Sequence, residues 1–178
     1  MDEMVAVDSN CLSFLADAIF LGQKPKDNLA DQKIALLRIF LYREEGLYEV
    51  PILKDEYERI KDENLKKAHN DVARYLLVNV PEVDQRILED RIAEYSLIHK
   101  GEKNYKDCRI LSEAELGGCD CLLTYDSTFL KRLKDKTHNI SMIAPLQFWD
   151  YFKIPHNAKP KIGPHQTNPL AQQDWWKW

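Results

Sequence analysis

The sequence predicts an α/β fold, a three-layer sandwich in which a central, mostly parallel five-stranded sheet lies between helices. Two observations predict it. Short apolar runs alternate along the chain with longer segments of helical period, which is the pattern of strand, helix, strand units. The chain of 178 residues, 44% hydrophobic and 30% charged, also has the size and composition of one globular domain with its own core.

Five apolar runs are the candidate strands, because each is short and most are bounded by polar or turn residues. In chain order they are residues 4–7, 47–50, 76–80, 121–124 and 140–143. Segments between them and around the last two show the three-and-four spacing of helices. The predicted helices are residues 31–43, 52–61, 65–75, 85–99, 105–116 and 126–133, and the glycine pair 117–118 stops the fifth.

Composition argues against membrane, secreted and zinc proteins. No apolar run approaches the roughly 18 residues of a membrane span, and the N-terminus lacks the basic start of a signal peptide, so we expect a cytoplasmic protein with no membrane partner. Without a secretion signal the cysteines are expected to be reduced thiols, and the single-residue gap between Cys119 and Cys121 is not that of a zinc knuckle. The four cysteines are Cys11, Cys108, Cys119 and Cys121.

The net charge of −4 argues against a nucleic-acid binder that works through an overall positive field. Any RNA contact must therefore be local, and two basic stretches could supply it. The alternative is that both are solvated helix faces. The first stretch is His99, Lys100, Lys103, Lys106 and Arg109, and the second is Lys131, Arg132, Lys134 and Lys136.

From residue 155 the composition changes to Pro, Gly, Asn, Gln and Lys without periodicity, which predicts a tail outside the core instead of a second domain. The tail carries Trp175, Trp176 and Trp178, which are too apolar to remain in water without a partner. We expect this end to dock on its own domain, on a second subunit of a homodimer, or on another protein.

Acidic residues follow two of the predicted strands. Asp8 comes directly after the first run, and Asp126 comes shortly after the fourth. In open parallel sheets, ligands bind in the crevice beyond the carboxyl ends of the strands, because loops and helix N-termini converge there. Both strands therefore deliver an acid to the region in which a ligand is expected.

Two further acids lie on the apolar faces of predicted helices. Glu56 shares a stripe with Ile52, Leu53, Tyr57 and Ile60, whereas its acidic neighbours Asp55 and Glu58 do not. Asp107 falls in line with Leu111, Ala114 and Gly118 at steps of four, three and four.

A carboxylate near a core face loses hydration and must be compensated by a cation or hydrogen bonds, or else take up a proton. At a separation of about 4 Å, each pair of converging acids repels by on the order of 1 kcal/mol in water and by more where water is scarce. Any one acid in such a position is usually a helix cap or a dipole partner. Four together favour a bound Mg²⁺ or Mn²⁺, since these ions select oxygen ligands.

Three segments resemble the motifs of PIN-domain nucleases. They are VAVDSN at residues 5–10, VPILKDE at residues 50–56, and DCRILSEA at residues 107–114 with GCDCLLTYD at residues 118–126 and then Phe129. Each motif is short, and the specificity lies in their order and spacing together. The resemblance covers about residues 4–149 and leaves the tail unmatched.

The resemblance implies a PIN-like nuclease domain over residues 1–154, followed by a Pro, Gly and Trp-containing tail over residues 155–178. It implies that the metal-binding catalytic acids are Asp8, Glu56, Asp107 and Asp126, and that hydrogen bonds from Ser9, Asn10 and Thr124 orient them. One position departs from the family pattern. Thr128 stands where many relatives carry a further acid or Asn, which implies that a second metal is held weakly.

The mechanism implied is metal-assisted hydrolysis, in which an activated water attacks phosphorus in line and no side chain acts as nucleophile. Asp8, Asp107 and Asp126 are the expected core ligands, with Glu56 holding a second ion or positioning the water. The expected substrate is RNA, single-stranded or structured. The candidates for gripping its phosphates are Lys100, Lys103, Lys106 and Arg109.

Other uses of strand-end acids fit less well. An aspartyl-phosphate hydrolase needs two acids flanking one residue after the first strand, but Asp8 is followed by Ser9 and Asn10. A phospho-receiver domain needs an acid pair at the same place. A non-catalytic PIN-like RNA-binding or scaffold module remains the alternative, although it has little use for all four acids.

Small PIN-domain nucleases are often toxins of toxin–antitoxin systems, in which a segment of the antitoxin fills the acidic groove. The resemblance therefore adds an antitoxin to the expected partners. Co-purification of a small basic protein would favour this role, and stable overexpression without growth arrest would count against it.

Overall fold

The computed structural model describes residues 3–178, except for the side chain of Lys103. Five short strands form one sheet: β1 (Val5–Val7), β2 (Leu47–Glu49), β3 (Leu77–Asn79), β4 (Cys121–Leu123) and β5 (Ser141–Ile143). All neighbouring strands are parallel, in the order β3-β2-β1-β4-β5. The predicted α/β class with a parallel five-stranded sheet is confirmed, and each observed strand lies within its predicted run.

Eight α-helices are present in the described residues: α1 (Ser9–Leu21), α2 (Ala30–Tyr42), α3 (Pro51–Tyr57), α4 (Glu63–Leu76), α5 (Gln85–Ile98), α6 (Tyr105–Leu116), α7 (Ser127–Leu133) and α8 (Pro145–Phe152). The six predicted helices are among them, but α3 ends earlier than predicted. Asp62 then caps α4, because its Oδ1 accepts a hydrogen bond from the Leu65 backbone N–H at 2.9 Å.

The strand order assigns the helices to two layers. The chain moves from β1 through β2 to β3 in one direction and from β4 to β5 in the other. Since parallel crossovers are right-handed, the two directions put their helices on opposite faces of the sheet. Packing agrees with this, because α1 contacts α2 and α4, whereas α5 contacts α6 and α7.

The switch in direction falls between β1 and β4, where ligands bind in open parallel sheets. Their register pairs Val5 with Cys121 and Val7 with Leu123. The ladder runs one residue further, since the Asp8 backbone N–H donates to the Leu123 carbonyl at 3.1 Å. The two strands therefore end side by side.

The tail packs back onto the domain. Leu170 and Trp176 are buried members of the core, and the Trp176 Nε1–H donates to the Leu170 carbonyl at 2.9 Å. Arg38 of α2 donates to the carbonyl of Trp176 at 3.1 Å. The expectation that the tail lies outside the core is wrong. Three docking partners were expected for the tail, and in this structure it packs on its own domain. The independence of residues 1–154 as a domain stays a prediction.

The end of α1 shows how closely the tail approaches. Gly22 follows α1 with φ of +63°, a conformation that favours glycine. A Cβ on Gly22 would lie 2.8 Å from the backbone carbonyl carbon of Pro169. The Trp175 Nε1–H donates to the Gly22 carbonyl at 3.2 Å, which anchors the tail at this point.

All four cysteines are buried free thiols. Among residues 3–178 no helix is long and apolar enough to cross a membrane.

Candidate metal-binding active site

Asp8 lies where β1 ends and α1 begins. Its Oδ1 accepts a hydrogen bond from the Cys11 backbone N–H at 2.7 Å, which caps α1, and its Oδ2 accepts one from the Thr124 hydroxyl at 2.5 Å. The residue is 4% exposed. Burial raises the pKa of its carboxyl, the bonds from Thr124 and Cys11 oppose this, and the charge of Asp107 raises it further. Ionised Asp8 is therefore costly unless a cation is near.

Asp126 occupies the matching position after β4. Its Oδ1 accepts hydrogen bonds from the backbone N–H groups of Thr128 at 2.8 Å and Phe129 at 3.0 Å, which begins α7. The Asp126 backbone N–H donates to the Thr124 hydroxyl oxygen at 3.1 Å. Since the same hydroxyl donates to Asp8, fully buried Thr124 ties the two strand-end acids together.

Asp107 reaches the site from the first turn of α6. The His99 Nε2–H donates to its Oδ2 at 3.2 Å, and the buried His99 ring stacks on Phe129 with 5.5 Å between centroids. An ionised carboxylate only accepts, so Nε2 carries the proton. Burial raises the pKa of the Asp107 carboxyl, the His99 bond opposes this, and the charge of Asp126 raises it again. The charge of Asp126, which begins α7, therefore acts on Asp107 in the first turn of α6.

Glu56 reaches the site from α3. Its Oε2 pairs with the ammonium of Lys106 at 2.6 Å, and its Oε1 is buried without a hydrogen-bond partner in the described part of the chain. Burial lowers the pKa of Lys106, and the charges of Asp107 and Asp8 raise it. Lys106 therefore brings a positive charge within reach of three of the predicted acids.

The fit of the four acids to a metal ion depends on their placement and on their donor atoms. Within residues 3–178, no group of three or more Asp, Glu, His or Cys side chains is placed so that it could hold one. The donors nevertheless suit a hard divalent cation such as Mg²⁺ or Mn²⁺, because they are carboxylate oxygens. Two carboxyls have raised pKa values, and one buried carboxylate oxygen of Glu56 has no partner among the described residues. A bound cation would lower the cost of ionising the two carboxyls and the cost of burying the unpaired oxygen.

The three residues predicted to orient the acids differ in their contacts. Thr124 donates to Asp8 as described. The carbonyl of Asn10 accepts from the Tyr125 hydroxyl at 2.6 Å, and Ser9 lines a cavity of about 130 Å³ together with Glu56. Among the described side chains, neither Ser9 nor Asn10 hydrogen-bonds an acid, so their orienting role stays a prediction.

Two of the four basic residues predicted to grip phosphates are held in ion pairs. Lys106 pairs with Glu56, and the Nε of Arg109 donates to the buried carboxylate of Glu113 at 2.8 Å. Lys100 is exposed, and the side chain of Lys103 lies outside the described part.

Sequence reasoning missed two supporting residues. The Glu113 carboxylate accepts a hydrogen bond from the Ile52 backbone N–H at 2.8 Å, so α6 caps the helix that carries Glu56. His99 appeared in the sequence only as a member of a basic stretch. The available signal was its position eight residues before Asp107, since a His ring carries an N–H that can donate to a carboxylate.

No family model matches the sequence, and no curated protein is significantly similar to it. Among solved structures, the crystal structure of FitAcB from Neisseria gonorrhoeae is similar to 80% of this chain and 98% of that chain, with 16% sequence identity and a TM-score of 0.48. Although the overlap is long, a structural similarity with a TM-score below 0.5 carries no argument about fold or activity. The fold class therefore rests on the strand order, and the function proposed below rests on the geometry of this chain.

Proposed function

We propose that the chain is a divalent-metal-dependent endoribonuclease of the PIN type, a hydrolase that cuts phosphodiester bonds of RNA. One observation carries the proposal. Asp8 and Asp126 follow the two strands at the switch point of the sheet and share the Thr124 hydroxyl, and the charges of Asp107 and Asp126 act on Asp8 and Asp107 respectively. A structural protein has no evident use for neighbouring carboxylates at that position.

The proposed roles follow from the contacts of each side chain. Asp8, Asp107 and Asp126 hold the cation, Mg²⁺ or Mn²⁺, and Glu56 positions the attacking water or holds a second ion. When bound, such a cation supplies an activated water and stabilises negative charge on the phosphoryl oxygens. Thr124 fixes the rotamer of Asp8, and His99 fixes that of Asp107.

RNA binding is proposed to be local, since the net charge is −4. The exposed Lys100 precedes α6 and the site. Lys131 and Arg132 lie on α7, the helix that Asp126 caps, and both are exposed. These residues, with Lys103 and Arg109, are the proposed phosphate contacts. The role as a toxin and the antitoxin partner stay predictions.

The proposal is tested by cleavage of labelled single-stranded RNA in Mg²⁺, in Mn²⁺ and in EDTA, by the wild type, Asp8→Asn and Asp84→Asn. Asp84 is a matched control, because it caps α5 by accepting hydrogen bonds from Arg86 and Ile87 as Asp8 caps α1. Asn also caps helices well, so both variants are expected to fold.

The expected result is metal-dependent cutting by the wild type and Asp84→Asn. Asp8→Asn should be slower by more than about a hundredfold, because losing residues that merely support metal ligands already costs about 10–100-fold. Equal traces from the wild type and Asp8→Asn would overturn the proposal and favour the non-catalytic RNA-binding or scaffold module.

A further inference from the structure

The ion pair between Lys106 and Glu56 lies inside the proposed active site. The ammonium of Lys106 is 2.6 Å from Oε2 of Glu56, and the side chains are 44% and 24% exposed. Lys106 directly precedes Asp107 on α6, whereas Glu56 lies on α3. The pair therefore joins the two helices that each bring an acid to the site.

Lys106 also interacts electrostatically with acids outside its ion pair. The charges of Asp107 and Asp8 both act on its ammonium. We call Glu56, Asp107 and Asp8 the acid cluster, because Lys106 pairs with the first and is affected by the charges of the other two. A lysine can supply a positive charge reversibly, because its ammonium is a compact charge at the end of a flexible four-carbon stem.

We propose that Lys106 is an internal competitor for the metal: its ammonium neutralises the acid cluster in the metal-free protein, and a divalent cation must displace it from Glu56 in order to bind fully. This inference rests on the proposed function, since it concerns the same site. It assigns Lys106 a role that its position in a basic stretch did not indicate.

The competition has an energetic reason: the acids need a positive charge nearby in both the metal-free and the metal-bound protein. Carboxylates brought together with little water repel one another, and Lys106 lowers that cost when no metal is present. A divalent ion beside the lysine would be repelled by it, so the two cations exclude each other. The displaced ammonium is half exposed already and has solvent to move into.

The test is titration of the full-length protein with Mn²⁺ by isothermal calorimetry. The variants are Lys106→Met, which removes the charge, and Lys106→Arg, which keeps it. Lys61→Met is the matched control, because Lys61 is an exposed lysine that follows α3 and its loss changes the net charge equally. Thermal unfolding in EDTA is measured on the same samples.

The expected result is a Kd for Mn²⁺ about tenfold lower in Lys106→Met, which corresponds to about 1.4 kcal/mol, with Lys61→Met and Lys106→Arg close to the wild type. In EDTA, Lys106→Met should unfold at a lower temperature than Lys61→Met, because the acids have lost their counterion. An unchanged or higher Kd in Lys106→Met would overturn the inference while leaving the metal site intact. Absence of Mn²⁺ binding in every variant would overturn both the inference and the metal-dependent function.

Discussion

At the scale of single residues, buried acids in this protein have two kinds of environment. Glu115 lies on α6 and accepts hydrogen bonds from Arg91, from the Tyr95 hydroxyl at 2.7 Å, and from the backbone N–H groups of His138 and Asn139. Burial acts to raise the pKa of Glu115, but these donors outweigh it and lower the pKa overall. At Asp8 and Asp107 burial dominates instead and raises the pKa. Asp8 and Asp107, unlike Glu115, are therefore left short of compensation for their burial.

The hydrogen bonds to Glu115 predict how the free energy of unfolding depends on pH. Its folded pKa is below the usual value of 4.5, so its ionised form stabilises the fold above that value, and the stabilisation is lost as the pH falls through the folded pKa. Glu115→Gln should lower the free energy of unfolding by about 2–3 kcal/mol at pH 7, because the amide nitrogen cannot accept from the donors that a carboxylate satisfies.

Urea unfolding of the wild type and Glu115→Gln from pH 7 to pH 3 measures this difference. It should be constant at neutral pH and shrink in the acid range, below about pH 4.5. A difference that stays the same down to pH 3 would show that the charge of Glu115 does not stabilise the fold.

At the scale of elements, the central strands β1 and β4 could be predicted because they are short and buried along their whole length, as parallel strands inside a sheet are. The helices α1 and α8 were not predicted. In α1 the exposed stripe is narrow, with only Asn10, Ser13 and Asp17 polar, and it continues into the exposed apolar residues Phe20 and Leu21, which obscures the helical pattern. The helix α8 is only eight residues long, begins with Pro145 and is rich in aromatics. Both helices are stabilised by packing on α2, which the sequence pattern does not show.

The tail is the element whose packing has a direct consequence for stability. Trp176 is 3% exposed and packs in the core, so Trp176→Ala should cost about 3–5 kcal/mol through the cavity it leaves. Tyr151→Ala is the control, because Tyr151 is an aromatic residue that is 73% exposed. Thermal or urea unfolding of both variants measures the cost. Equal stability of the two variants would mean that the tail does not dock in solution.

At the scale of the whole molecule, the site lies between β1 and β4, where successive strands begin to be added on the opposite side of the sheet. Asp8 and Asp126 could be predicted from position alone, since each follows an apolar strand, and Glu56 and Asp107 from their place on apolar helix faces. The contacts of Lys106 and His99 could not, because a side chain's partner across two helices depends on how those helices pack. Sequence periodicity carries no information about that packing.

The central claim is that acids from separate elements bind one divalent cation at this switch point. The most direct measurement is the anomalous difference map of a crystal grown with Mn²⁺. We expect a strong peak in contact with the carboxylates of Asp8, Asp107 and Asp126, with the Lys106 ammonium moved away from Glu56. A map without a peak at these carboxylates, from crystals in which the site is open to solvent and Mn²⁺ is in excess, would contradict it.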